Sequence, residues 1–238
     1  MNSVVTPKEI IRRALSEDRL KLLEHEAFEL VKHYEIPVPE VYLVKTPKEA
    51  YDLADSIGYP IVLKVVSPDI THKSDVGGVR LHLNSREEVA RAVNEMLKTV
   101  SVKAPHARIV GIIMYREASQ GTEVIVGGLR DDVFGAAVMF GLGGVFVEVL
   151  KDVSFRVAPV SYEEAFEMIN EIRSRQILEG YRGQKPVDKS AIADIIVKTS
   201  KLMLENEEIE SIDLNPVMAY ESGAMVVDAR VILRKVSY

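Results

Sequence analysis

Two side chains in one stretch of this sequence could do chemistry, a lysine and a histidine. Lys64 lies within the apolar run Ile61–Val66, and His72 lies in the polar, glycine-containing segment of residues 67–78. An apolar run with one lysine predicts a buried strand whose ammonium group meets an anion, because an unpaired buried charge is very costly. A neutral imidazole is a nucleophile near pH 7 and can accept a phosphoryl group. The stretch therefore predicts a protein that handles a nucleotide polyphosphate, with His72 as the candidate for covalent chemistry.

Each of these features also has a simpler interpretation, which the sequence leaves open. Lys64 could lie at a sheet edge and extend its amine to water, and His72 could be an ordinary solvated loop residue. Gly77 and Gly78 indicate either that a phosphate approaches their backbone amides or that the turn is tight. We predict that Lys64, Gly77 and Gly78 contact nucleotide phosphates.

A second group of polar residues lies near the end of the chain and has the composition of a magnesium site. Asp213 and Asn215 alternate with apolar residues, so both side chains project from one face of a predicted strand. Asp228 occupies a similar position on the next predicted strand. Oxygen ligands on neighbouring strands suit Mg²⁺, which takes a few carboxylates together with phosphate oxygens and waters. The alternative is a pair of surface acids beside a turn, with Asn215 and Pro216 supplying the turn chemistry.

Two further segments could contact a nucleotide. Glu117 and Glu123 flank residues 118–122 between two predicted strands, where free backbone amides could hold a flat heterocycle and a carboxylate could bind ribose. The alternative is an ordinary hairpin with solvent-facing acids. Residues 141–144 form a glycine-rich segment that is either a phosphate-approach loop or a turn, and no helix follows that would complete a dinucleotide fingerprint. Three charged residues are weaker candidates, each equally well explained by a salt bridge or a helix end: Glu148, Arg156 and Arg182.

The composition excludes several classes of function. The 238 residues can form one large domain or two smaller lobes, and 47% apolar with 28% charged residues is ordinary for a globular protein. A net charge of −6 without a dense Lys/Arg stripe argues against a nucleic-acid-binding surface. The absence of cysteine excludes disulfides, zinc–thiolate sites and thiol catalysis. No signal-peptide core or membrane-spanning run is present, so we expect a cytoplasmic protein.

The order of predicted elements favours an α+β fold with antiparallel sheets. Helices and strands are mixed without a regular βαβ alternation, and consecutive strands are often tightly linked. Pro105 separates a predicted helix from the next strand and suggests a boundary between two lobes. Residues 1–105 would contain Lys64 and the His72 segment, and residues 106–238 would contain the predicted hinge and magnesium site. Helices are predicted over residues 20–34, 47–57, 86–100, 162 onwards and 189–204, and strands over residues 41–44, 61–66, 79–83, 108–115, 122–129, 133–140, 209–214 and 224–233.

Taken together, these motifs resemble the ATP-grasp proteins. More narrowly, the sequence is similar to the β subunit of ADP-forming (NDP-forming) acyl-CoA synthetases, relatives of succinyl-CoA synthetase. The similarity extends from about Leu20 to Leu233, and its most specific part is residues 72–78. The motifs that carry it are residues 26–27, 34–39, 61–64, 71–79, 141–144 and 213–216.

The resemblance implies a binding mode for the nucleotide, ATP or ADP. The nucleotide would lie between two lobes of an ATP-grasp fold. Lys64 would contact the phosphates, while Glu117 and Ala118 would lie at the adenine hinge with Glu123 nearby.

The resemblance also implies roles for the residues of the second group and for the histidine. Asn215 and Asp228 would bind Mg²⁺, and Asp213 would lie beside them or act catalytically by orienting the phosphohistidine. His72 matches the histidine thought to receive the phosphoryl group and pass it to ADP. Succinyl-CoA synthetase has a glycine-rich loop at this place without the histidine.

A partner follows from the same resemblance. In this family acyl-CoA and phosphate react on an α subunit to give an acyl phosphate, which phosphorylates a histidine there, and a mobile segment carries that phosphoryl group towards the β subunit. We therefore expect a separate CoA-binding α subunit, in an α₂β₂ heterotetramer. Two rival hypotheses are another ATP-grasp ligase that activates a carboxylate without a phosphohistidine, and a non-catalytic nucleotide-sensing module.

Overall fold

The computed structural model describes residues 5–144, 152–180 and 185–236, and these form two compact units. The smaller unit comprises Leu23–His25 and Pro39–Ala118, and the larger unit comprises the rest of the described chain. Each unit contains its own antiparallel sheet with helices packed on it, which confirms the predicted α+β class.

The elements alternate irregularly along the chain, as the sequence pattern predicts. The helices are α1 (Pro7–Ser16), α2 (Glu24–His33), α3 (Pro47–Ile57), α4 (Arg86–Lys103), α5 (Tyr162–Glu171) and α6 (Lys189–Glu205). The strands are β1 (Tyr42–Val44), β2 (Ile61–Val66), β3 (Val79–Leu83), β4 (Gly111–Arg116), β5 (Thr122–Asp131), β6 (Gly135–Leu142), β7 (Val153–Val157), β8 (Ile209–Ala219), β9 (Ala224–Val226) and β10 (Ala229–Leu233).

The smaller unit is a four-stranded sheet in the order β1-β4-β2-β3, with every neighbouring pair antiparallel. Helices α3 and α4 bury their apolar stripes against one face of this sheet. Ile61, Leu63 and Val65 of β2 project into that core, so the alternate residue Lys64 belongs to the opposite face. The period of a strand thus separates the lysine from the apolar core of its own sheet.

Helices α3 and α5 begin at residues whose side chains cap their first turns. Ser161 and Glu164 form a complete capping box at the start of α5. Thr46 accepts a hydrogen bond from the Glu49 amide at the start of α3, but the Glu49 carboxylate accepts from the amide of Lys45 instead of the cap residue. The capping box at α3 is therefore only half formed, although the helix begins at Pro47, as predicted.

The larger unit is built on a six-stranded sheet in the order β10-β8-β5-β6-β7, with β9 pairing to β8. Helix α6 packs across β5 and β6 and against α5. Gly128 on β5 allows this close approach, because a Cβ atom there would lie 2.7 Å from Cγ of Met203 on α6. This packing fixes which face of the sheet is covered by α6 and which face carries Asp213.

The largest differences from the predicted limits concern three predicted elements. The helix predicted from residue 20 begins at Glu24, because the preceding segment pairs with β10: the amide of Leu22 donates to the Val231 carbonyl. Strand β8 continues past Leu214 to Ala219. The single strand predicted over residues 224–233 is divided into β9 and β10.

Helix α1 and strand β7 were not predicted. Thr6 and Glu9 form a complete capping box at the start of α1, and Ile10, Ile11 and Ala14 are buried. Strand β7 is the edge strand of the larger sheet and pairs with β6.

The division into units differs from the boundary suggested at Pro105. Strand β4 follows this proline, yet it pairs with both β1 and β2, so the smaller unit continues to Ala118. Long-range strand pairing, which local composition does not reveal, sets the division. Among the described residues, no helix is both long and apolar enough to cross a membrane.

Candidate functional site

Lys64 lies in the middle of β2, and its ammonium group does meet an anion. Its side chain is 12% exposed, and Nζ lies 2.8 Å from Oε1 of Glu24. The same Nζ lies 5.6 Å from the centre of the Tyr115 ring. The sequence prediction of a counter-ion is thus met within the chain, while phosphate contact by Lys64 stays a prediction.

Glu24 is a residue that the sequence reasoning missed. It is the first residue of α2, and its side chain is 3% exposed. The signal was present, since Glu24 falls three residues before Ala27, at helical spacing within the helix predicted over residues 20–34. A charged residue at a core position of a helix indicates a buried partner.

The His72 segment is a loop between β2 and β3 in which the histidine is exposed and the next residue is anchored. The Lys73 side chain turns inward, and its Nζ lies 2.6 Å from Oε2 of Glu24. Nζ of Lys103 on α4 donates to the carbonyl of Asp75 at 3.0 Å. The imidazole of His72 is therefore presented to solvent by a loop that is held at two points.

The glycine pair closes a tight turn. The amide of Gly77 donates to the Ser74 carbonyl at 3.0 Å, and the amide of Gly78 donates to the Lys73 carbonyl at 2.7 Å. Gly77 has φ +72°, and a Cβ on Gly78 would lie 2.4 Å from Cγ1 of Val65. Each amide already has an acceptor within the turn, and phosphate contact by Gly77 and Gly78 stays a prediction.

Glu117 lies at the end of β4, and its carboxylate is engaged by a histidine of β3. Oε2 accepts a hydrogen bond from the backbone amide of His82 at 2.9 Å, and Oε1 lies 2.9 Å from His82 Nδ1. The Glu117 amide donates to the Pro60 carbonyl. Of the predicted hinge, Glu117 and Ala118 belong to the smaller unit, and Ala118 is its last residue.

Glu123 is the second residue of β5 in the larger unit and packs against the glycine-rich segment. Its carbonyl accepts from the amide of Gly143 at 2.8 Å, and a Cβ on Gly143 would lie 3.0 Å from that of Glu123. Gly141 and Leu142 are the last residues of β6 instead of loop residues. The glycine at position 143 therefore serves a close contact within the chain.

The predicted magnesium ligands come together on one face of the larger sheet, opposite α6. Asp213 pairs with Arg230 across β8 and β10, and the amide of Asn215 donates to the Asp228 carbonyl at 3.3 Å. Asp228 lies just before β10, so the prediction that it lies within a strand is wrong. On the other side of β8, Asp213 pairs with Gly127, which has no side chain to fill the space beside the carboxylate.

The two carboxylates on this face of the sheet repel each other. Burial raises the pKa of Asp213, the nearby negative charge of Asp228 raises it further, and Arg230 opposes the shift. Oδ1 of Asp213 is buried and has no hydrogen-bond partner. Two repelling carboxylates, one with an unused buried oxygen, fit a hard divalent cation, with the Asn215 amide as a third oxygen donor.

This cluster contains fewer acidic groups than a dedicated metal cage. Within residues 5–144, 152–180 and 185–236, no three His, Asp or Glu side chains are grouped closely enough to hold a metal by themselves. A metal bound here would need oxygen ligands from water or from a second molecule, which is the manner in which Mg²⁺ binds with phosphates.

The three weaker candidates from the sequence add nothing to the residues around Lys64 and His72 or to the predicted magnesium ligands. Arg156 pairs with Glu171 and Glu167 on α5, so it has a structural explanation. Glu148 and Arg182 lie outside the described residues.

Comparisons with known proteins agree with the predicted resemblance. A family model described as an ATP-grasp domain matches residues 13–233. The β subunit of ADP-forming acetate–CoA ligase I from Pyrococcus furiosus is 52% identical over 233 residues, which cover 98% of this chain and 100% of that relative. ADP-forming acetate–CoA ligase I from Archaeoglobus fulgidus is 47% identical over 95% of this chain, but the match covers only 33% of that longer relative.

A solved structure has the same fold. Acetyl-coenzyme A synthetase 1 from Ca. Korarchaeum cryptofilum superimposes with a TM-score of 0.86 at 45% identity, covering 96% of this chain and 100% of the matched chain. That structure is described as a complex with coenzyme A and Mg-AMPPCP, with its phosphohistidine segment pointing towards the nucleotide binding site. The fold, the length of the match and the identities together show that this chain belongs to the ATP-grasp family, within the group formed by the β subunits of ADP-forming acetate–CoA ligases.

Proposed function

We propose that this chain is the nucleotide-binding β subunit of an ADP-forming acetate– or acyl–CoA ligase. The overall reaction converts acyl-CoA, ADP and phosphate into a carboxylate, ATP and CoA. The observation that carries the proposal is the exposed imidazole of His72 on a loop held by Lys73, in the same compact unit as the buried Lys64. This arrangement leaves the histidine accessible to a phosphoryl donor while the loop below it stays fixed.

The proposed chemistry is two phosphoryl transfers through one ring nitrogen. In the first, a lone pair of His72 attacks the phosphorus of a phosphohistidine on the partner, so one P–N bond forms as the other breaks. In the second, a terminal phosphate oxygen of ADP attacks the phosphorus of phosphorylated His72. A P–O bond forms as the P–N bond breaks, which gives ATP and returns the neutral imidazole. Each transfer passes through a loose transition state with negative charge on the three equatorial oxygens, and nearby cations stabilise that charge.

Lys64 and the acidic cluster supply the electrostatic part of the proposal. Lys64 would contact phosphate oxygens of the nucleotide. Asp213, Asn215 and Asp228 would hold Mg²⁺, which neutralises phosphate charge when it is bound. Relief of the repulsion between the two aspartates would accompany metal binding, and the unused Oδ1 of Asp213 would gain a partner.

A partner subunit is part of the proposal. The Pyrococcus furiosus relative is named as a β subunit, and this chain matches a third of the longer Archaeoglobus fulgidus ligase. We propose that a CoA-binding α subunit carries the phosphohistidine and assembles with this chain as α₂β₂. The acyl pocket would then belong to that subunit.

The phosphohistidine is tested by incubating the chain with γ-labelled ATP and Mg²⁺. We expect an acid-labile, base-stable label on His72, because transfer from ATP is the reverse of ATP formation. His72→Ala should lose the label and keep its ADP affinity, since Lys64 remains. His106→Ala, which removes another histidine of the smaller unit, is the control and should still be labelled.

Two results would contradict this account. One is a folded wild-type chain that takes no label, which would favour an ATP-grasp ligase without a phosphohistidine or a nucleotide sensor. The other is full overall ligase activity of His72→Ala in the presence of the partner.

The phosphate contact is tested by Lys64→Ala. Loss of one charge-assisted hydrogen bond should weaken ADP binding by about 10- to 100-fold, measured by calorimetry. Lys48→Ala removes an exposed lysine of the same unit, paired only with Asp52 in the described contacts, and should leave the affinity unchanged. Equal affinities of Lys64→Ala and wild type would reject the contact.

The metal site is tested by Asp213→Asn in thermal unfolding. The pKa of Asp213 is higher in the folded chain than in the unfolded chain, so its ionised form opposes folding. This destabilisation begins once the pH exceeds the unfolded pKa and is fully present at neutral pH. Like-charged neighbours on adjacent strands cost roughly 0.2–1 kcal/mol, so the variant should gain about 1–3 °C in Tm at pH 7 without metal. It should also lose most of the further increase in Tm that Mg²⁺ gives the nucleotide-bound wild type.

The pH dependence and a control sharpen this test. The metal-free gain of Asp213→Asn should vanish at acidic pH, where both aspartates are protonated. Asp132→Asn, an exposed acid of the same unit, should change neither quantity. A destabilised Asp213→Asn at pH 7, or one with the full Mg²⁺ response, would count against the proposed site.

A further inference from the structure

The carboxylate of Glu24 joins two parts of the smaller unit that are distant in sequence. Its Oε1 meets Nζ of Lys64 on β2 at 2.8 Å, and its Oε2 meets Nζ of Lys73 in the loop at 2.6 Å. The Glu24 side chain is almost fully buried, and those of both lysines are largely buried. One acid therefore connects the strand to the loop that carries His72.

Burial makes the contact of Glu24 with the two lysines costly to break. Burial alone would raise the pKa of Glu24, but the ammonium groups of Lys64 and Lys73 outweigh that effect and hold the pKa below its ordinary value. Removing one partner of a buried ion pair is strongly destabilising because it leaves an uncompensated buried charge, whereas an exposed pair contributes little to stability. The exposed pair Lys48–Asp52 of the same unit is an example of the weaker kind.

The position of Lys73 in the loop determines how firmly the adjacent His72 is held. The carbonyl of Lys73 accepts the amide of Gly78, which closes the turn, and the carbonyl of Gly78 accepts from the amide of Val65 on β2. His72 precedes Lys73 directly and is exposed. Fixing Lys73 by its side chain and by its carbonyl therefore sets the place from which the imidazole projects.

The negative charge of Glu24 indicates that this residue positions the loop and does not bind the phosphates of a substrate. A carboxylate repels phosphate, and it also neutralises part of the positive charge that Lys64 and Lys73 offer to a nucleotide. Removing that charge should leave nucleotide affinity equal or slightly higher. Releasing the loop should instead slow a transfer that depends on where His72 is held, since small misplacements of a reacting group are costly in rate.

We propose that Glu24 is a positioning residue that fixes the His72 loop through Lys73 for phosphoryl transfer. The proposal rests on the proposed function for its catalytic part. The anchoring itself is a property of the folded chain and is measurable without turnover.

The first experiment measures the loop in the full chain by amide hydrogen exchange. In Glu24→Gln, which preserves size and removes the charge, the Gly78 amide should exchange about tenfold faster or more, because the turn opens more often. Asp52→Asn, which breaks the exposed pair, should leave that exchange unchanged. Wild-type protection of Gly78 in a folded Glu24→Gln chain would overturn the anchoring.

The second experiment separates rate from affinity. With γ-labelled ATP and Mg²⁺ at saturation, Glu24→Gln should label His72 about tenfold more slowly or worse, while its ATP affinity stays within about threefold of wild type. Glu24→Asp restores the charge and should recover most of the rate. Equal losses of rate and affinity, or no rescue by aspartate, would indicate only a structural role.

The third experiment tests whether Glu24 acts through Lys73. Lys73→Met retains the aliphatic stem and should reproduce the slow labelling, and the double variant Glu24→Gln/Lys73→Met should be no slower than either single variant. Additive losses would overturn the proposal. If Glu24→Gln does not fold, Lys73→Met tests the proposal by itself. A wild-type labelling rate in Lys73→Met would contradict the proposal.

Failure of the proposed function gives a different result. A wild-type chain that takes no label would contradict phosphoryl transfer at His72 and, with it, the catalytic part of this inference. Faster exchange at Gly78 in Glu24→Gln would then still establish Glu24 as the anchor of the loop.

Discussion

The contact of one buried carboxylate with two ammonium groups is the constraint on which the smaller unit depends. Glu24 gives Lys64 the anion that a buried lysine requires, and it gives the loop a fixed point at Lys73. Without this acid, a lysine in the middle of an apolar strand would be strongly destabilising. The same contact explains how an exposed His72 can belong to a well-defined loop, because the order of the loop comes from the residue next to it and from the glycine turn that follows.

The larger unit presents the opposite electrostatic situation. Asp213 and Asp228 repel each other, Arg230 compensates only in part, and a buried oxygen of Asp213 lacks a partner. Such a cluster is stabilised by a cation, so it fits a ligand that arrives with its own positive charge. One unit therefore holds its two largely buried lysines against a carboxylate of its own chain, whereas the other contains an acidic pair that a magnesium-bound nucleotide would complete. Both conditions suit a protein whose substrate carries a polyphosphate and a metal.

The sequence predicted side-chain faces better than partners and boundaries. Alternation along a strand places Asp213 and Asn215 together, because the period of a strand is local and fixed. The apolar run around Lys64 likewise required an anion for its ammonium group. The identity of that anion depends on how α2 packs against β2, which is a long-range contact. The boundary suggested at Pro105 was displaced for a related reason: the pairing of β4 with strands far earlier in the chain is a long-range property. The choice between a phosphate cradle and a tight turn at the glycines also needed the carbonyl acceptors, which only the fold supplies.

The central claim is that His72 passes a phosphoryl group to ADP. The direct measurement begins with the chain phosphorylated chemically by phosphoramidate and freed of reagent, with the phosphohistidine followed by phosphorus NMR. On addition of ADP and Mg²⁺, the account predicts that the phosphohistidine signal disappears and that an equivalent amount of ATP forms. A phosphohistidine on His72 that persists in the presence of bound ADP and Mg²⁺, with no ATP formed, would contradict it.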